Sequence, residues 1–296
     1  MFKGVVKMAS DRLRIYKRAK LNDGRLLMGL SGWMNGGDIS TGAVQFLVEQ
    51  LGAPQAARIE PDGFYIYNFP GSMEVTAIFR PHTRISDGIV QSCEMPSNTF
   101  FVNEENNLLL FTGKEPNLGW GEYADCIFSV CREYEVRMIY FIGSVAGLVP
   151  HTRQPRFSCS VSEEGLKETM SRYGVRMSNY EGPASIVTHL TAMAGQTGVS
   201  MATFVAEIPA YVQGNNPGCI SAATKLLTNI LGLHVDIEEL QRLGEEFEAK
   251  LSEIIQMQPE LAGHIGRLEE DYDNDIFDTE MGELKEWLQQ RGIRVD

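Results

Sequence analysis

The sequence has no paired-cysteine motif. Its five cysteines (Cys93, Cys126, Cys131, Cys159 and Cys219) are odd in number and scattered, without a C-x-x-C spacing. Disulfide scaffolds and cysteine zinc sites need spacings that are missing here, so these side chains read as reduced core thiols of a cytoplasmic protein. Long hydrophobic runs are missing too. The longest apolar stretch, Met138 to Val149, is interrupted by Gly143, Ser144 and Gly147, whereas a bilayer span takes about 20 residues. Met1 to Leu21 is basic but leads into no long apolar segment, unlike a secretory signal. Nor is there a positive surplus: 26 Lys and Arg stand against 39 Asp and Glu. A net charge of −13 repels phosphate backbones, so neither nucleic acid nor a membrane is the expected partner.

The common catalytic motifs are absent as well. Gly113-Lys114 follows an apolar run, but a Walker loop would need glycine at Leu108 and a hydroxyl residue at Glu115. Gly32 to Gly37 is glycine-rich without the G-x-G-x-x-G order of a dinucleotide fold, and neither Gly29–Trp33 nor Gly143–Gly147 is a nucleophile elbow. His82, His151, His189, His234 and His264 form no H-x-x-x-H pair, so no metal and no cofactor is expected.

What is present is an alternation of β-rich runs and amphipathic helices. Strands are expected at Arg25–Leu30, Ala56–Glu60, Val75–Arg80, Gly88–Glu94, Thr99–Val102, Asn107–Thr112, Arg137–Ser144 and Ser200–Ile208. Helices are expected after Asp38 to about Gln50, and at Gly119–Glu133, Glu163–Ser171, Ala184–Ala194 and Pro217–Leu231. This order predicts a three-layer α/β/α domain with a mixed, largely parallel sheet, over residues 1–235. Residues 236–296 differ. They hold 18 acidic and 6 basic residues, so this segment carries −12 of the net charge and leaves the body nearly neutral. Leu240, Leu243, Phe247, Leu251 and Ile254 form one helical stripe, and Phe277, Met281, Leu284 and Leu288 a second. Such stripes must bury against the chain's own body, each other or another subunit.

Polar or glycine-rich segments follow several of the expected strands: Trp33–Asp38, Gly113–Glu115, Pro150–Arg153 and Pro209–Asn216. In a parallel sheet they gather at the carboxyl edge, where α/β folds bind ligands. Asn35, Asp38, Lys114, His151, Thr152, Arg153 and Tyr211 are therefore the candidate ligand-binding residues. Pro150-His151-Thr152-Arg153 suits an anion, with an imidazole, a hydroxyl and a guanidinium in four positions. Several have a plainer reading: Asp38 as a helix N-cap, Asn35 as a turn residue, Arg153 in a salt bridge to a neighbouring subunit.

In these same residues the sequence resembles the proteasome assembly chaperone 2 family, in its bacterial and archaeal branch. The resemblance runs from Gly32-Trp33-Met34-Asn35-Gly36-Gly37-Asp38 through Phe64-Tyr65-Ile66-Tyr67, Arg80-Pro81, Gly143–Gly147 and Pro150–Arg153. It continues to Tyr180-Glu181-Gly182, Ile208-Pro209-Ala210-Tyr211 and Asn216-Pro217-Gly218. It implies one α/β/α domain similar to the purine-nucleoside-phosphorylase-like fold, self-association, and a non-catalytic role in assembling a proteasome-like complex. The alternative is an enzyme or binding module for a small anionic metabolite. Archaeal relatives that dock on proteasomes end in hydrophobic-Tyr-any residue; here Arg294-Val295-Asp296 stands instead, with Val295 in place of tyrosine.

Overall fold

The structure is a computed structural model that describes residues 11–290, with side chains through residue 276. The second stripe (Phe277, Met281, Leu284, Leu288) and Arg294-Val295-Asp296 therefore lie outside the described side chains. In chain order the elements are β1 (Leu13–Ile15), β2 (Gly24–Ser31), a 3-10 turn (Gly36–Asp38), α1 (Ile39–Gln50), β3 (Gln55–Ile59), α2 (Met73–Phe79), β4 (His82–Ser86) and β5 (Ile89–Glu94). Then come β6 (Thr99–Asn103), β7 (Leu108–Lys114), α3 (Trp120–Glu133), β8 (Val136–Gly147), β9 (Arg156–Val161), α4 (Leu166–Ser171) and β10 (Arg176–Met177). The chain continues through α5 (Ile186–Thr197), β11 (Ser200–Pro209), α6 (Pro217–Leu231), α7 (Glu238–Gln256) and α8 (Pro259–Gln290).

A nine-stranded sheet runs in the order β1-β3-β6-β7-β2-β8-β11-β9-β10. Its centre, β7-β2-β8-β11, is parallel; antiparallel pairs flank it on both sides. The central strands are buried on both faces, which is why they read as continuous apolar runs rather than alternating ones. One face packs on α3 and α5 through Tyr123, Ile127, Ile186 and Leu190. The other packs on α1, α4 and α6 through Ala43, Leu47, Met170, Ala223 and Leu227. These are the three layers that the alternation predicts.

The sheet is pinned open at its carboxyl edge. β2 pairs with β8 only from Gly24 to Met28, although it stays on β7 to Ser31. In the gap the fully buried Ser40 hydroxyl accepts from Leu30 N (2.9 Å) and donates to Ile142 O (2.5 Å). Helix α1 must press close to do this: a Cβ on Gly29 would stand 2.2 Å from the Ser40 carbonyl oxygen. Beyond the gap the chain closes again, Ser144 N donating to Met34 O (3.0 Å) and Ser144 Oγ to Gly36 O (2.6 Å).

Two expectations are corrected. Val75–Arg80 is not a strand; Met73–Phe79 is a helix, capped by Ser72, whose hydroxyl accepts from Val75 N. Its β-branched residues favour a strand, but no sheet edge stands beside them, and the local cap decides. The first tail stripe also shifts. The line that meets the body is Leu240, Gly244, Phe247, Leu251 and Ile255, with Leu243 and Ile254 exposed. Gly244 lies in this seam because α7 crosses α6 there, and a Cβ on it would come 2.9 Å from Gly218 Cα.

Removing the Ser40 hydroxyl leaves two buried backbone groups without partners, so Ser40→Ala is expected to cost about 1–3 kcal/mol. Gly29→Ala forces the helix off the sheet and is expected to cost at least about as much. Urea denaturation of both variants measures this; an unchanged midpoint for Ser40→Ala would mean that this hydroxyl does not pin the edge.

Candidate functional site

The parallel strands β2, β7, β8 and β11 end on one edge, and all seven candidate residues stand there or directly after it. The structure divides them into three groups. Asn35 and Asp38 serve helix α1. Asp38 holds the N-cap position in a left-handed conformation (φ 57°), and its side chain makes no capping bond. Asn35 caps in its place, its Oδ1 accepting from Thr41 N (3.0 Å) while its Nδ2 reaches Thr41 Oγ1 (3.1 Å). The N-cap expected of Asp38 is thus supplied from earlier in the chain, because the 3-10 turn presents the Asn35 amide to the open end of the helix.

Lys114 stands apart from His151, since β2 separates their strands. Its backbone is anchored by buried groups: Lys114 N donates to Asn98 Oδ1 (3.2 Å) and Tyr65 Oη donates to Lys114 O (2.7 Å). Lys114 lines a cavity beneath β4, while His151, Thr152 and Arg153 line a different one, between the loop after β8 and helices α6 and α7. The single pocket expected from the sequence is two.

The third group clamps the acidic segment. The Tyr211 hydroxyl accepts from His151 N (2.7 Å) and faces His151 Nδ1 (2.8 Å), and His151 Nε2 faces Ser252 Oγ on α7 (3.0 Å). Burial lowers the His151 pKa, partly opposed by Glu269, and holds the ring neutral. Thr152 Oγ1 donates to Glu269 Oε1. Arg153 forms a two-pronged pair with Asp273, Nε to Oδ1 at 2.9 Å and Nη2 to Oδ2 at 2.8 Å. Asp275 receives Arg156 (3.1 Å) and Arg176 (2.9 Å), while the Arg156 guanidinium lies 4.2 Å from the Tyr272 ring centre. Tyr272 Oη closes the set by donating to Gln154 O (2.7 Å).

The anion that Pro150–Arg153 receives is therefore the chain's own α8. Sequence reasoning identified His151, Thr152 and Arg153 but missed Arg156, Arg176, Ser252, Glu269, Tyr272, Asp273 and Asp275. The available signal was spacing. Leu261, Ile265, Leu268, Tyr272 and Ile276 recur every three or four residues, with Glu269, Asp273 and Asp275 alongside, and Arg153, Arg156 and Arg176 supply the opposite charge. Of the cysteines expected in the core, Cys93 is instead exposed, because it lies on β5 outside the main sheet. Burial raises the thiols of Cys131, Cys159 and Cys219 to about 12, which makes them poor nucleophiles. Among the described residues no helix is long and apolar enough to cross a membrane.

Fold and edge together define a three-layer α/β protein with an acidic helical segment clamped across the carboxyl end of its sheet. The sequence model of the PAC2 family matches residues 29–255, most of the chain, and the chain belongs to that family. Its fold is similar to that of a Mycobacterium tuberculosis protein of unknown function, with 20% identity, 96% of each chain covered and a TM-score of 0.80. A proteasome-assembly chaperone homologue from the same organism is 24% identical over 81% of this chain and 99% of its own, with a TM-score of 0.69. The archaeal proteasome activator PbaB of Pyrococcus furiosus is 20% identical over 82% and 97%, with a TM-score of 0.60. No curated protein matches the sequence.

Asp273 and Asp275 have lowered pKa values, chiefly through hydrogen bonds from Arg153 and Arg176. Their contribution is present above the ordinary carboxylate range and is lost as pH falls through the lowered values. His151, also lowered, loses stability earlier, as pH falls below its ordinary value of about 6.5. The protection of α7 and α8 against hydrogen exchange, corrected for the fall of the intrinsic rate with pH, should therefore drop in two steps on acidification. His151→Phe should abolish the upper step alone, and Arg153→Gln should weaken the lower step and its salt dependence. A single step unaffected by either change would refute the clamp.

Proposed function

We propose that this protein is a non-catalytic, homo-oligomeric, chaperone-like assembly factor of the cytoplasm, acting on a proteasome-like complex. The observation that carries the reading is the arm formed by α2, β4 and β5. Met73, Ile78, Ile85, Ile89 and Val90 are each more than half exposed there, and α2 has no buried residue. Among the described residues, strands β4 and β5 pair only with each other, through a turn in which Asp87 and Gly88 both have positive φ. A lone two-stranded hairpin is marginal in water, so this apolar arm calls for a cover. The names of the similar structures, a proteasome-assembly chaperone homologue and a proteasome activator, indicate the kind of complex. Residues 1–235 serve in this reading as the scaffold, and residues 236–296 as a segment folded back upon it.

The oligomer should appear by light scattering at micromolar concentration. Ile85→Asp with Ile89→Asp should reduce it to the monomer mass, with stability changed by less than about 0.5 kcal/mol because both side chains are exposed. Affinity capture from the native cell should retain subunits of a protease complex with the unmodified arm and lose them with the double variant. A wild-type monomer that captures no such subunit would overturn the reading.

A further inference from the structure

The cavity beneath the arm has no part in the clamp. It measures about 320 Å³ and lies between the arm and the carboxyl ends of β2 and β7. Its floor comes from Ser31 and Thr112–Lys114, one wall from Thr41 in the first turn of α1, and its cover from Phe79 and Arg80. This is the lower end of the size range of small-molecule sites, roughly 300–1,000 Å³, at the place where parallel sheets bind ligands.

Three features of the lining point to one ligand chemistry. Arg80 and Lys114 both line the cavity, and among the described residues no carboxylate lies within 4 Å of either. The one acidic wall residue, Glu94, is turned to His82 at 3.7 Å. The hydroxyl of Tyr67, another wall residue, is buried and has no hydrogen-bond partner among the described residues, a costly state for a donor. Lys114 does not swing from a loose loop; its backbone is held by Asn98 and Tyr65 at the end of β7. The other large cavity differs here, since its Arg153 is already neutralised by Asp273.

We propose that this cavity binds the oxyanion group of a small organic ligand, phosphoryl or carboxylate. Arg80 and Lys114 neutralise the charge, Tyr67 Oη donates to an oxygen, and Phe79 with Pro96 packs against an apolar body. Arg80 belongs to the arm and Lys114 to the sheet, so the ligand ties one to the other. Occupancy thereby sets how firmly the arm is held for its partner.

Calorimetric titration of the full chain with phenyl phosphate, benzoate and inorganic phosphate at constant ionic strength tests this. Binding of phenyl phosphate or benzoate is expected, the preferred one naming the group, with inorganic phosphate weaker than phenyl phosphate for want of an apolar body. Lys114→Gln and Arg80→Gln should each weaken binding at least about tenfold and Tyr67→Phe several-fold, while Arg153→Gln leaves it unchanged. Melting without ligand identifies any variant that fails to fold, and the remaining variants then decide. Ligand should also slow hydrogen exchange across Met73–Glu94. No binding at millimolar probe, or binding indifferent to Lys114 and Arg80, would overturn the site. Light scattering of the same samples keeps this outcome separate from the assembly reading, since a monomer with the site and an oligomer without it are both distinguishable results.

Discussion

A single hydroxyl decides the shape of the carboxyl edge. Were β2 and β8 to pair along their full length, Leu30 and Ile142 would satisfy each other and the loop after β2 would leave the sheet as an ordinary turn. Ser40 takes both bonds instead. The loop is thereby swung over β8, where Ser144 holds Met34 and Gly36. The swing carries Gly37 to the start of α6, and Asn216 N donates to Gly37 O at 2.9 Å. Asn216 in turn caps α6 by accepting from Cys219 N (3.1 Å). α7 crosses α6 at Gly218 and Gly244, which places Ser252 before His151. The clamp on the acidic segment is the far end of this chain of contacts.

The acidic segment is held by two unlike forces. Its ion pairs are largely solvent-exposed, and pairs of that kind contribute little individually and are screened by salt. Leu240, Ile255, Ile265 and Tyr272, all buried, provide the larger attraction. Apolar seams do not discriminate between registers one turn apart, whereas a two-pronged guanidinium–carboxylate pair does. Arg153 with Asp273, and Arg156 and Arg176 with Asp275, therefore fix where the helix lies more than how tightly it is held.

Most of the fold was legible because the central strands are buried on both faces: RMIYFIGS and NLLLFT can hardly be anything else. The Pro217–Leu231 helix was legible to the residue, since Asn216 and Pro217 mark its start and Gly232 its end. Strands β1 and β9 were not, because both lie toward the edges of the sheet, partly exposed, and carry charged residues in weak patterns. Val75–Arg80 misled because β-propensity reports a pleated, half-buried neighbourhood that this segment lacks. At the edge, the candidate residues were found from strand ends alone, but their partners were not. Nothing local to Pro150–Arg153 indicates that the carboxylates matching Thr152 and Arg153 lie 117 and 120 positions onward. Gly244 is likewise invisible to any pattern built on apolar residues.

The contrast between segment and arm bears on where association energy resides. The described part of the acidic segment buries one seam and pairs Glu269, Asp273 and Asp275 within the chain, leaving Leu243, Ile254 and Met257 as its exposed large apolar side chains, spread along α7 and its end. The arm instead has five large apolar side chains in water. Burying such side chains gains about 1.5–3 kcal/mol each, on the order of 7–15 kcal/mol together. Bringing two bodies together costs about 4–15 kcal/mol. The arm alone thus supports an association near break-even, one that depends on holding the hairpin in place beforehand. A hairpin with no packing of its own must be ordered at the moment of binding, and that entropy comes directly out of the small margin. In the proposed assembly role, whatever fixes the arm to the ends of β2 and β7 would therefore have leverage out of proportion to its own contacts.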